Sequence, residues 1–254
     1  RRALQPRPAA PARPCVVIHA WYLDVLGEML EAMAGSGLTA RLVITTSPER
    51  ATQVQALLDQ QGLKGEVMAF DNHGRDILPF LHVANTLIDQ GEDVVLKLHT
   101  KRSTHRDNGD DWRRDLLQAL LQRGRGRTLF ERIQAQPKLG LVAASGHLLR
   151  CADYQGSNAE RLRYLQARLG LGSAADDAVF AAGSMYWVRL KALRPLLDAH
   201  LAPSEFETEH GQIDGTLAHA LERVIGRVVR DAGFQISTSA AVLGEPDNHE
   251  SDSY

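Results

Sequence analysis

Val94-Val95-Leu96-Lys97-Leu98-His99-Thr100-Lys101-Arg102-Ser103 is an apolar run that breaks off into cationic and hydroxyl side chains. The run is short and β-branched at its start, which suits a buried strand. In a parallel sheet such a strand delivers its last residues to the carboxyl edge, where open α/β folds bind ligands. Lys97, His99, Lys101 and Arg102 would form a donor array there, and phosphate is the natural anion for ammonium and guanidinium groups. The plain alternative is a basic surface loop, which four basic residues on their own favour. The neighbouring segments tip the reading toward a ligand.

Upstream, strand and helix alternate. Cys15 to His19 reads as a first strand, and Leu23 to Ala34 places Leu26, Met29, Leu30 and Met33 on one helical face. Ala40 to Thr45 is a second strand. Thr46-Ser47-Pro48 then opens a helix from Glu49 to Gln61 that Gly62 ends. Gly65 to Phe70 is a third strand and Ile77 to Asp89 a helix. This alternation predicts one α/β domain with a mostly parallel central sheet flanked by helices on both faces. Downstream, helices are expected at Trp112 to Leu121, Leu129 to Gln134, Ala159 to Leu169, Leu190 to Ala199 and Asp214 to about Arg223. Gly140 to Ala143 reads as a strand and Val179 to Val188 as strand, glycine bend, strand. Gly226 onward reads as a late strand or loop.

Composition narrows the function classes. With 29 basic against 31 acidic residues, a nucleic-acid binder working by bulk electrostatics is disfavoured. Cys15 and Cys151 have no CxxC spacing, so neither a zinc site nor a disulfide framework is expected, and a reducing compartment is the default. No apolar run is long enough for a transmembrane segment, and the amino end has no signal-peptide core. Arg1 to Pro14 reads as a Pro/Arg/Ala-rich linker, 15–244 as the domain and 245–254 as a flexible tail. The chain also starts without Met, which suggests a domain within a longer polypeptide.

Three further constellations carry chemistry. In Asp71-Asn72-His73-Gly74-Arg75-Asp76, Gly74 permits a tight turn and Asp76 suits a helix start. Arg75 opposes the helix dipole there, so a ligand or an ion pair with Asp71 or Asp76 explains it better. In Glu207-Thr208-Glu209-His210-Gly211-Gln212-Ile213-Asp214-Gly215, carboxylates crowd a helix start. Asp214 is the first candidate for a general base and Glu209 the second, with His219 lining the same pocket. Helix-terminus electrostatics is the plain alternative. In Gly183-Ser184-Met185-Tyr186-Trp187, the Gly183-Ser184 bend is placed to meet a substrate hydroxyl, and Trp187 offers a face to a sugar. His19, Trp21 and Tyr22 follow the first strand and suit a nucleobase or ribose.

Five ordered motifs carry a resemblance. Asn72-x-Gly74-Arg75-Asp76-Ile77-x-Pro79-Phe80-Leu81, Lys97-Leu98-His99-Thr100-Lys101-x-Ser103, Trp112-Arg113, Gly183-Ser184-Met185-x-Trp187-x-Arg189 and Gly211 to His219 resemble the rhamnan synthesis protein F family, from about Val16 to Arg227. Its members are bacterial glycosyltransferases or glycosyltransferase-like domains of polysaccharide assembly, O-antigen included, often inside multidomain proteins. The resemblance implies a GT-A-like fold and transfer of rhamnose or a related sugar from a nucleoside-diphosphate donor, deoxythymidine-linked in the rhamnose case, to a glycan acceptor. It further implies inversion, other domains as partners, no nucleic acid, and a cytoplasmic location at the inner face of the inner membrane. GT-A enzymes usually end the fourth strand in an Asp-x-Asp metal motif, whereas Leu98-His99-Thr100-Lys101 stands here. The expectation is therefore a metal-independent enzyme without cofactor, in which Lys97, His99, Lys101 and Arg75 meet the diphosphate charge. Mg²⁺ or Mn²⁺ held by Asp71 and Asp76 is the alternative. The competing functions are a non-catalytic nucleotide-sugar or glycan-binding module and phosphate-ester hydrolysis.

Overall fold

The computed structural model of the protein describes residues 13–100, 109–154, 156–172 and 178–247. Its elements run β1 (Cys15–His19), α1 (Leu23–Gly35), β2 (Arg41–Thr46), α2 (Pro48–Gln60), β3 (Glu66–Ala69), α3 (Ile77–Asp89) and β4 (Val94–His99). Then follow α4 (Gly109–Leu120), α5 (Arg125–Ala135), β5 (Leu139–Ala143), β6 (Leu148–Arg150), α6 (Ala159–Arg168), β7 (Val179–Ala181) and β8 (Tyr186–Arg189). The last are α7 (Arg194–Leu197), α8 (Leu217–Asp231), β9 (Gln235–Thr238) and α9 (Ser239–Leu243).

The main sheet has the order β3-β2-β1-β4-β8-β5-β9, and β6 and β7 form a separate antiparallel pair. Within the main sheet only β8 runs against its neighbours β4 and β5. The fold class is thus the α/β class read from the sequence, a mostly parallel sheet with helices on both faces. Successive residues of β1 and β4 feed opposite cores. Cys15, Val17 and Val95 pack with α3 and α8, while Val16, Ile18, Leu96 and Leu98 pack with α1, α4 and α5. Burial on both faces explains why these strands read as continuous apolar runs. Among the described residues, no helix is long and apolar enough to cross a membrane.

Three expectations are corrected. The helix expected over Leu190 to Ala199 is a 3₁₀ turn (Leu190–Leu193) followed by the short α7. Pro195 lies in the first turn of α7, where its missing N–H costs nothing, so it marks a start and not an interior. The helix expected from Asp214 begins at Leu217 and runs on to Asp231, with Thr216 accepting a hydrogen bond from the His219 amide at its amino end. Gly226, read as the start of a strand or loop, sits inside that helix. A Cβ there would collide with the carbonyl oxygen of Val179, so glycine lets α8 lie against β7. Of the linker and tail, residues 1–12 and 248–254 lie outside the described residues. Glu245 and Asp247 are held: Glu245 pairs with Arg125 at 2.7 Å, and Asp247 accepts from the Ser145 and Thr238 hydroxyls.

Candidate functional site

Beyond β1 the chain adds strands outward through β2 to β3, then returns to place β4 on the other side of β1. The crevice outside the carboxyl ends of β1 and β4 is therefore a topological switch point, where open α/β sheets take ligands. The register puts Thr45, His19 and His99 in one row across β2, β1 and β4. Thr45 Oγ1 meets His19 Nδ1 at 2.9 Å, and His99 Nε2 donates to the Gly183 carbonyl at 2.6 Å. Thr100 closes the floor, its hydroxyl accepting from the amides of Trp21 (2.8 Å) and Tyr22 (2.9 Å). Burial pushes the His19 imidazole down to about 4 against the pull of the Asp76 carboxylate, with His99 and Lys97 adding to the fall. His19 is consequently neutral at physiological pH and is suited to an uncharged ligand group. Tyr22 is half-buried beside it, packed on the α1 core.

Lys97 is corrected. It is 1% exposed, and its ammonium lies between the rings of Phe80 (5.6 Å) and Tyr186 (5.5 Å). An ammonium has three protons to donate. Lys97 finds the Asp76 carboxylate, the Ser184 carbonyl (2.7 Å) and the Ser184 hydroxyl (2.9 Å), which saturates it. For Asp76, burial works to raise the carboxyl. Lys97, followed by His99, overrides burial and holds the group well below the usual carboxylate range. The pair joins two strained bends, since Gly74-Arg75 and Gly183-Ser184 all have left-handed backbone, with φ of 56° at Arg75 and 55° at Ser184. Lys97 and Asp76 thus shape the crevice instead of meeting a phosphate. Lys101, the other lysine of the expected array, lies outside the described residues.

Arg75 is likewise committed. Its guanidinium pairs with Glu209 at 3.3 Å, donates to the Gln212 carbonyl, and donates to His219 Nε2 at 2.9 Å. On its other side His219 Nδ1 lies 2.8 Å from the Thr216 hydroxyl and 3.3 Å from the Thr216 amide nitrogen, which closes the amino end of α8. This corrects His219 as a sugar contact: it is buried and serves the docking of the acidic loop onto Arg75. Arg75 is the ion-pair alternative of the sequence reading, with Glu209 as the partner in place of Asp71 or Asp76.

Asp214, the first candidate base, accepts from the Ser157 amide at 2.8 Å and the Asn158 side chain at 2.6 Å. Burial would raise this carboxyl, but those donors with the Gly215 amide hold it below its ordinary value. Each oxygen holds a donor and the carboxylate is a weaker base than a free one, so Asp214 ties the acidic loop to the 156–158 turn. Replacing Asp214 with Asn sets a donor against a donor and is expected to cost about 1–3 kcal/mol of stability, read by urea unfolding. An unchanged midpoint would return Asp214 to the list of bases. Glu209 differs: among the described residues, Arg75 alone is shown against it, through one oxygen.

Gly183 does sit at the crevice. Its amide donates to Glu222 at 2.9 Å, and a Cβ on it would collide with the Trp112 ring. Trp187 is corrected: it is fully buried, tilted against Phe130 at 6.2 Å, and its Nε1–H donates to the Leu120 carbonyl at 2.9 Å. A strand residue that faces the core cannot stack on a sugar. Sequence reasoning missed Thr45, Thr100 and Glu222, whose roles arise only from pairing between distant segments. It also missed Arg50, whose guanidinium lies 3.9 Å from the Trp21 ring centroid. Among the described residues no group of three His, Cys, Asp or Glu side chains is arranged to hold a metal ion.

A model of the family described as rhamnan synthesis protein F matches residues 3–234. The chain is 50% identical over 230 residues to the protein called Uncharacterized protein WxcX in Xanthomonas campestris pv. campestris strain B100, and equally to its counterpart in a second strain. Those matches cover 91% of this chain and 33% of each relative, so the chain spans about a third of their length. Among solved structures, a 4-diphosphocytidyl-2C-methyl-D-erythritol synthase is similar with a TM-score of 0.45 and 13% identity, over 96% of this chain and 91% of that one. The corresponding synthase from Anaerococcus prevotii is similar with a TM-score of 0.43 and 10% identity, over 89% and 86%.

Proposed function

The chain belongs to the rhamnan synthesis protein F family, and from that premise we propose that it is a glycosyltransferase of bacterial polysaccharide assembly. The donor is a nucleoside-diphosphate sugar of the rhamnose type, the acceptor a growing glycan, and the setting the cytoplasmic face of the inner membrane. The observation that carries the reading is the switch-point crevice, which sets the neutral His19 in a row with Thr45 and His99 for the nucleoside and has a docked acidic loop nearby. In this reading Glu209 takes the proton from the acceptor hydroxyl, which displaces the nucleoside diphosphate with inversion. Fixed cations meet the charge on the leaving group without a resident metal. The pairing of Asp76 with Lys97 supports this, because it consumes a carboxylate packed against β4.

Calorimetric titration with deoxythymidine, uridine, guanosine and cytidine diphosphates tests it, each with chelator and with Mg²⁺ or Mn²⁺. One nucleotide is expected to bind equally well in chelator. Binding only with metal would overturn metal independence. A second reading, a non-catalytic binding module, is favoured by the pairing of Glu209 with Arg75. Nucleotide binding with no sugar transfer to any glycan acceptor would select it.

A further inference from the structure

Arg50 lies in the first turn of α2, where a cation opposes the helix dipole. Its guanidinium is nevertheless fixed in place. It lies 3.9 Å from the centroid of the Trp21 ring and donates to the Ser47 hydroxyl at 3.1 Å. Neither contact neutralises the charge, because one partner is a ring face and the other a neutral hydroxyl. The adjacent Glu49 is exposed and acts on Arg50 only through space, which separates Arg50 from Lys97, Arg75 and Arg161, whose charges are matched in direct contact by Asp76, Glu209 and Glu207. A guanidinium carries five N–H donors, of which the Ser47 contact takes one.

Location adds the second argument. Trp21 follows β1, and Arg50 follows β2 by four residues, so both sit at the carboxyl edge beside the switch-point crevice. The Trp21 amide is anchored on the Thr100 hydroxyl at the end of β4, so the ring that supports Arg50 is tied to the crevice floor. Both side chains are half-buried, so part of each remains accessible at that edge. A stacked, positionally fixed guanidinium presents its fork to a planar pair of anionic oxygens, the geometry that phosphate offers.

Resting on the function proposed above, we propose that Arg50, seated on Trp21, binds a phosphate group of the nucleoside-diphosphate donor at the β1–β2 edge. It supplies charge that the buried Lys97 and the docked Arg75 do not. A Lys at this position keeps the charge but loses the fork and the stack.

Calorimetry on the intact chain tests this with three probes: the best-bound of the four nucleoside diphosphates, its parent nucleoside, and inorganic pyrophosphate. Arg50→Gln is expected to weaken the nucleoside diphosphate and pyrophosphate about 10- to 100-fold, with the nucleoside within two-fold of wild type. Arg50→Lys should fall between. Thermal unfolding of each variant at the wild-type midpoint shows that the fold is intact. Unchanged diphosphate affinity in Arg50→Gln would overturn the proposal, as would equal loss for nucleoside and diphosphate, which would make Arg50 a base contact. If the wild-type chain binds none of the four nucleotides, the function reading itself falls and takes this one with it.

Discussion

Replacing Lys97 with Met is expected to destabilise the protein by about 3–5 kcal/mol, the range for removing one partner of a buried ion pair. An exposed pair would cost about 0–1 kcal/mol, but Lys97 is 1% exposed and Asp76 is buried with it. Methionine fills similar volume, so the loss isolates the charge left on Asp76 and the two unmatched acceptors of Ser184. Urea unfolding reads it, and a loss under about 1 kcal/mol would assign the pair no more weight than a surface bridge. The double variant Lys97→Met with Asp76→Asn should recover part of the loss. The pH dependence has a definite sign. Because the Asp76 carboxyl is held low in the folded protein, its contribution is present above the unfolded carboxylate value of about 3.9. It is lost as pH falls toward the lower folded value. Wild type should therefore lose stability below about pH 4 more steeply than the Asp76→Asn variant.

Glu209→Gln is expected to lower kcat for sugar transfer by about 10²- to 10⁴-fold, the range for losing a general base. The amide keeps the size of the side chain, and Arg75 retains Gln212 and His219 as partners, so the loss of stability should be about 1–3 kcal/mol, below that of Lys97→Met. Steady-state kinetics with the best-bound nucleotide sugar, beside thermal unfolding, separates the two effects. Arg75→Gln supplies the control, since it releases the loop but leaves the carboxylate. If Glu209 only anchors Arg75, both variants fall alike and Glu209→Gln keeps the acid limb of the pH–rate profile. If it is the base, that limb disappears in Glu209→Gln alone. Activity within a few-fold of wild type would remove Glu209 from the chemistry.

The layers of this fold were legible because burial leaves a local trace. Two-sided strands such as β1 and the first half of β4 read as short apolar runs, and α1 shows its core face at helical spacing. Gly226 was misread because its reason is the backbone of β7, nearly fifty residues earlier in the chain. Candidate site residues were recognisable as types in unusual company: Arg75 against a helix dipole, lysine at the end of an apolar strand, carboxylates crowded before a helix. Their roles were not recognisable, because a charge on the page has no partner. Lys97 and Asp76 are twenty-one residues apart and Arg75 and His219 one hundred and forty-four. Only the folded chain decided that these cations are spent internally, while Arg50 is held on a neutral aromatic face. The sequence by itself determined the α/β layers, the carboxyl edge and the family, since these rest on short-range pattern and motif order. Tertiary structure alone decided which charges are paired inside the fold, since electrostatic pairing is a property of distance in space.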